Sequence, residues 1–150
     1  LSYSWAGEWV TGLCYGPGVF GCLWLVSGQP ANTIYVSGSI AFAALSLALL
    51  LSHQPPQIET DRNAGKLSFA VRHGVAKTFS VARALFLMSC LAMSLALYLS
   101  TSAYGVQILY ALASIYVVIV VYKLIPQPRI MLLGSSAGLV VAMISSAVIH

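Results

Sequence analysis

Residues 9–52 read WVTGLCYGPGVFGCLWLVSGQPANTIYVSGSIAFAALSLALLLS, without a single Asp, Glu, Lys or Arg. A helix that crosses a bilayer needs about 20 apolar residues, within a range of roughly 17–25. The run is therefore too long for one crossing, and the turn cluster Ser27-Gly28-Gln29-Pro30-Ala31-Asn32 divides it. Two spans result, near 9–26 and 33–52. A second charge-free run, 84–122, breaks at Ser100-Thr101-Ser102 ahead of Tyr104-Gly105 and gives spans near 77–99 and 104–123. Pro126 and Pro128 end the fourth span, and residues 130–149 supply a fifth.

Composition agrees. The chain has 150 residues, 59% hydrophobic and 7% charged, where a soluble domain carries about 25% charge. Mean hydropathy is +0.90. These values exclude a soluble enzyme, a nucleic-acid-binding module and a disordered tail. The expected fold is an all-α integral membrane protein with five transmembrane helices. Cys14, Cys22 and Cys90 lie in apolar runs with no disulfide or zinc spacing, and read as buried thiols. A chain that begins at Leu1, with neither an initiator Met nor a signal peptide, is expected to be a piece of a longer protein.

Charge is concentrated where the spans are not. The 53–76 connection holds Glu59 and Asp61, two of the three acids, with Arg62, Lys66 and Arg72; Lys77 and Arg83 follow just beyond. Lys123 and Arg129 flank the connection before the fifth span. The turns at 27–32 and 100–104 carry no base. With five spans, all seven bases fall on one side, so the positive-inside rule makes the 53–76 loop cytoplasmic in a multi-pass inner-membrane protein. The net charge of +4 is thus a topology signal, and no nucleic-acid partner is expected. Gly12-x-x-x-Gly16 and Gly134-x-x-x-Gly138 permit close helix approach within the bundle. Gly16-Pro17 should kink the first span, and Trp5, Trp9, Trp24, Tyr98, Tyr104 and Tyr122 suit an interfacial belt.

Within the loop, Pro55-Pro56 stops the preceding helix and suits the start of a new turn. If 57–61 is helical, Gln57 and Asp61 stand at i and i+4 on one face and Glu59 points away. An oxygen pair beside Arg62 and Lys66 fits Mg²⁺ held together with a phosphate; a solvated basic loop fits equally. Gly65-Lys66-Leu67-Ser68 lacks the upstream Gly and the adjacent Lys-Ser of a nucleotide loop. His53 and His73 have no zinc partner spacing, and no nucleophile triad can be assembled. Glu8, the remaining acid, lies at the same membrane edge. It is either a partner of the loop or a charge favoured by a helix N-terminus.

Residues 57–74, from Gln57-Ile58-Glu59-Thr60-Asp61-Arg62 through Ala64-Gly65-Lys66 to Ala70-Val71-Arg72-His73-Gly74, resemble a family motif. It is the second aspartate-rich motif of the UbiA superfamily of intramembrane prenyltransferases, D-I-E-T-D-R-x-A-G-K-x-T-L-A-V-R-L-G. Gly7-Glu8, Gly16-Pro17 and Gly21 resemble the 1,4-dihydroxy-2-naphthoate branch, which serves menaquinone and phylloquinone biosynthesis. The likeness covers the whole chain but only the C-terminal half of such an enzyme. The N-D-x-x-D motif of the other half does not occur here, and the missing N-terminal half would complete the site. Gln57 replaces the motif's first Asp with an uncharged oxygen ligand.

The resemblance implies Mg²⁺-dependent transfer of a polyprenyl group from its diphosphate to an aromatic acceptor. It implies Asp61 and, more weakly, Gln57 as metal ligands, Asp61 and Lys66 as catalytic, and Lys66, Arg62 and Arg72 on the diphosphate. Glu8 would be acceptor-side or structural. Other acceptors in the family (4-hydroxybenzoate, a porphyrin, a homogentisate-like ring) remain alternatives. A transporter or non-catalytic subunit is the rival of another class, but transporters place ionisable groups near the midplane, whereas here the span interiors carry none and the charge lies at the cytoplasmic end. Cysteine labelling tests the topology: single cysteines at positions 63 and 102 should react with an impermeant reagent from opposite sides. Labelling of both from one side would contradict it.

Overall fold

A computed structural model of the chain describes residues 6–100, with Ile108, Ala111, Leu112, Ile115 and Ile119 as isolated positions beyond them. Three helices are long and apolar enough to cross a bilayer: α1 (Ala6–Val26), α2 (Thr33–His53) and α4 (Phe69–Ser100). A 3₁₀ turn (Pro55–Gln57) and the short α3 (Ile58–Asn63) connect α2 to α4. Every element among the described residues is helical. At 1.5 Å per residue, α1 and α2 each reach about 30 Å, the hydrocarbon thickness of a bilayer. The spans expected near 104–123 and 130–149 lie outside the described residues, apart from those isolated positions.

Asn32 starts the central helix. Its side chain accepts a hydrogen bond from the Tyr35 N–H at 3.0 Å, an N-cap that satisfies one of the first-turn donors. Trp24 Nε1 donates to the Pro30 carbonyl at 2.9 Å, and Gly28 takes φ 77° to reverse the chain. The order of contacts puts α2 in the middle, with α1 on one side and α4 on the other.

The α1–α2 seam depends on small residues. A Cβ on Gly12 would come within 2.8 Å of Leu47 Cδ1, and one on Gly16 within 2.6 Å of the Ser39 carbonyl. One on Gly21 would come within 3.0 Å of the Tyr35 hydroxyl. The Gly12–Gly16 spacing thus serves packing inside the chain, as expected; Gly134 and Gly138 lie outside the described residues. The spacing of these contacts lengthens from four residues to five because Cys14–Gly21 is π-helical. Pro17, inside that stretch, has no N–H to give the Leu13 carbonyl and its ring would crowd it. A wider turn relieves the clash and keeps the glycines on one face.

The α2–α4 seam pairs Ala48 with Phe86 and Ala41 with Met93. Ser89 Oγ donates to the Ala41 carbonyl at 2.8 Å across it. The outer faces of α1 and α4 expose Leu13, Val19, Leu23, Leu91 and Leu95, an apolar surface suited to lipid. Cys14 and Cys22 are exposed on this structure, contrary to the expectation that they are buried, and Cys90 is half-buried.

The 53–76 connection is more ordered than a loop. It contains α3, and α4 begins at Phe69 rather than near 77. Gly74 then breaks α4 with φ 80° and ψ 168°, a conformation essentially restricted to glycine. The uninterrupted membrane helix resumes after it, close to the expected start.

Gly16→Val should lower the thermal stability of the detergent-solubilised protein by about 1–3 kcal/mol, the usual cost of overpacking. Val19→Ala, on the exposed face, should leave the melting temperature nearly unchanged. Equal shifts for the two variants would contradict the α1–α2 seam.

Candidate functional site

The polar end of the bundle is built from the first turn of α1, the last turn of α2, α3 and the first turn of α4. Its geometry begins with how α3 stops. The Lys66 N–H donates to the Asp61 carbonyl at 2.9 Å and the Gly65 N–H to the Arg62 carbonyl at 3.1 Å, with Gly65 at φ 70°. This is a Schellman motif, with glycine at its left-handed position. It folds Lys66 back over the helix that carries Asp61, bringing Lys66 Nζ to 3.6 Å from Asp61 Oδ1. Asp61 is buried, whereas the Lys66 side chain is 42% exposed. An ion pair that open contributes about 0–1 kcal/mol. The glycine turn, not the charge attraction, sets the geometry.

The second unit is a network at the start of α4. The Ser68 carbonyl accepts from the Arg72 N–H at 3.1 Å, so Ser68 occupies the N-cap position. The caps themselves come from elsewhere in the chain. Glu8 Oε1 accepts from the Phe69 N–H at 2.9 Å and from Gln54 Nε2 at 3.2 Å. Gln54 Oε1 accepts from the Ala70 N–H at 3.1 Å. Glu8 and Gln54 are both buried. Ser68 Oγ is buried without a hydrogen-bond partner among the described residues.

A cleft of about 320 Å³ opens beside this network, lined by Glu8, Trp9, Leu67, Phe69, Arg72 and His73. The Phe69 and His73 rings pack at 4.4 Å, tilted by 49°. Two aromatic faces, a guanidinium and a carboxylate therefore meet in one concavity at the membrane edge.

The structure brings the sequence-derived residues together in part. Asp61 and Lys66 pair; Glu8 joins the loop, through Phe69 and Gln54 rather than through Asp61. Arg72 lines the cleft, and Arg62 is exposed beside Asp61. Gln57 departs from the expected shared face: α3 starts one residue after it, its φ is −102° with ψ 3°, and it is exposed where Asp61 is buried. The 3₁₀ turn begun by Pro55 and Pro56 takes Gln57 out of the helical register. Glu59 is exposed. A span expected to start near 77 gives no role to Gln54. A helix beginning at Phe69 leaves amide groups that need acceptors, and that need was the available signal.

Among the described residues no three His, Cys, Asp or Glu side chains gather as a metal site. The donor set is one buried carboxylate with a cation alongside. That set fits Mg²⁺, which takes one or two carboxylates and draws its other ligands from phosphate and water. It does not suit a metal caged by protein alone.

The description of the UbiA prenyltransferase family fits residues 1–147. No curated protein and no solved structure matches the chain. The family match spans nearly the whole sequence, and the three long apolar helices among the described residues are consistent with a membrane protein of that family. The chain belongs to the UbiA prenyltransferase family.

Proposed function

We propose that this chain carries the second acidic motif of a Mg²⁺-dependent enzyme. The enzyme transfers a polyprenyl group from its diphosphate to an aromatic acceptor, 1,4-dihydroxy-2-naphthoate in quinone biosynthesis. The observation that carries the reading is the glycine turn that stacks Lys66 on the buried Asp61 at the polar end of an apolar bundle. In this reading Asp61 is the metal ligand, with the exposed Gln57 a weaker oxygen donor. Lys66 takes charge on the diphosphate, supported by Arg62 and Arg72. The motif's side of the membrane is cytoplasmic, and acidic residues outside these 150 positions complete the site.

Bound Mg²⁺ supplies positive charge to the departing diphosphate. The chain's own groups do the rest. Lys66, Arg62 and Arg72 stabilise negative charge that grows as the carbon–oxygen bond breaks and the electron pair leaves with the diphosphate. The apolar spans hold the isoprenoid tail and keep water from the allylic cation. A ring carbon of the acceptor then attacks, and in the naphthoate reaction the ring carboxylate leaves as carbon dioxide. Trp9 and Phe69 in the cleft favour a flat aromatic ring as acceptor.

Turnover of the intact membrane protein, normalised to protein level, tests this reading. Asp61→Ala should lose about 10²–10³ in rate, the loss of roughly 3–4 kcal/mol of charge stabilisation. Glu59→Ala should cost much less, Gln57→Ala should be intermediate, and Gln57→Asp should be tolerated. Lys66→Ala should raise the apparent KM for the prenyl donor more than for the acceptor. Wild-type turnover in Asp61→Ala would end the reading.

Gly65 offers a separate check on geometry. A Cβ there would meet nothing within 4 Å, so Gly65→Ala acts only through the left-handed backbone, at about 1–2 kcal/mol. It should reproduce part of the Lys66→Ala phenotype, and Gly65→Asn should do so less. Full activity in Gly65→Ala, with a raised KM in Lys66→Ala, would show that Lys66 acts without the turn.

A further inference from the structure

We infer that Glu8 and Gln54 are positioning residues that hold the Arg72 turn at the cleft; the inference rests on the prenyltransferase reading above. The segment Phe69–His73 is a single helical turn between two glycines of positive φ, Gly65 at 70° and Gly74 at 80°. Neither α3 nor the membrane helix after Gly74 continues into it as regular helix. It carries Arg72 and His73, both on the cleft wall.

Two side chains tie this turn to the bundle. Glu8, near the start of α1, accepts from the Phe69 amide at 2.9 Å, and Gln54, just past α2, accepts from the Ala70 amide at 3.1 Å. The 3.2 Å bond from Gln54 Nε2 to Glu8 Oε1 locks the two acceptors together. An N-terminal helix amide is ordinarily capped by a residue next to it in sequence. Here the caps come from 61 and 16 residues away. A local cap orders a helix end, whereas these caps also fix where that end lies relative to α1 and α2.

The bundle itself does not need them. The α1–α2 seam rests on Gly12 and Gly16, and the α2–α4 seam on Ala48, Phe86 and the Ser89–Ala41 bond. Cutting the caps should therefore free the turn and leave the spans packed. Glu8 works here as an acceptor of two hydrogen bonds. An amide at position 8 accepts the Phe69 bond equally well, so the charge itself is not required.

The test uses the intact protein in lipid nanodiscs, with steady-state kinetics, melting temperature and amide exchange of peptides covering 66–74. Glu8→Ala should raise the apparent KM for prenyl diphosphate by roughly tenfold, the scale of one lost hydrogen bond to a charged group. Its kcat and melting temperature should stay near wild type, and amide exchange in the segment should accelerate. Glu8→Gln should stay close to wild type. Gln54→Glu, which sets two carboxylates face to face, should behave like Glu8→Ala.

Wild-type KM in Glu8→Ala would overturn the inference, as would wild-type KM in Gln54→Glu. A fall in melting temperature proportional to the loss of activity would make the network merely structural, and would also overturn it. If the wild-type protein, together with the residues that complete its site, turns over no prenyl diphosphate, the prenyltransferase reading fails by itself. Exchange then decides the placement of the turn, and unchanged protection in Glu8→Ala rejects it.

Discussion

The amide groups of Phe69 and Ala70 have no partner within their own helix, and they sit in a chain too apolar to leave them bare. Glu8 and Gln54 meet that need from two other parts of the sequence. This cross-connection joins the starts of α1 and α4 to the end of α2, and so defines the polar end of the bundle. It also places a carboxylate at an apolar helix edge without leaving it unpaired. Arg72 and His73 follow from it, because they ride on the turn that it caps.

A second constraint acts along the membrane. Helices surrounded by lipid gain little from hiding apolar surface from one another, so they must pack by close approach. Gly12, Gly16 and Gly21 supply that approach on α1, and Ala41, Ala44 and Ala48 are buried on α2. Pro17 would disturb the glycine face, and the π-helical turns around it restore the face one residue later. The interiors of the described spans are thereby committed to packing. Charge chemistry is left to the connection between α2 and α4.

Much of this was legible in the sequence. The ends of α1 and α2 follow from the Gly28-to-Asn32 turn chemistry and the absence of charge, and the structure places them within a few residues of the expected positions. Asp61 and Lys66 were legible because the chain concentrates its charge in this connection and because they fall on the acid and the Gly-Lys of a motif that resembles a known family. Three features were less legible. The π-helical shift arises from how Pro17 is accommodated, which hydropathy does not encode. Gln57 leaves the helical face because a diproline turn of 3₁₀ type precedes it. Gln54 and Glu8 meet across 46 residues, and a long-range polar contact of that kind has no periodicity to reveal it.

The most direct measurement of the central claim is equilibrium binding of a non-hydrolysable prenyl thiodiphosphate to the intact protein in lipid nanodiscs. It should be made with and without Mg²⁺, for wild type and for Asp61→Asn, which keeps the side chain's size and removes its charge. The account predicts binding that requires Mg²⁺ in the wild type and weakens by roughly tenfold or more in the variant, the scale of one charge-assisted contact. Equal affinity in the two proteins, or wild-type binding indifferent to Mg²⁺, would contradict it.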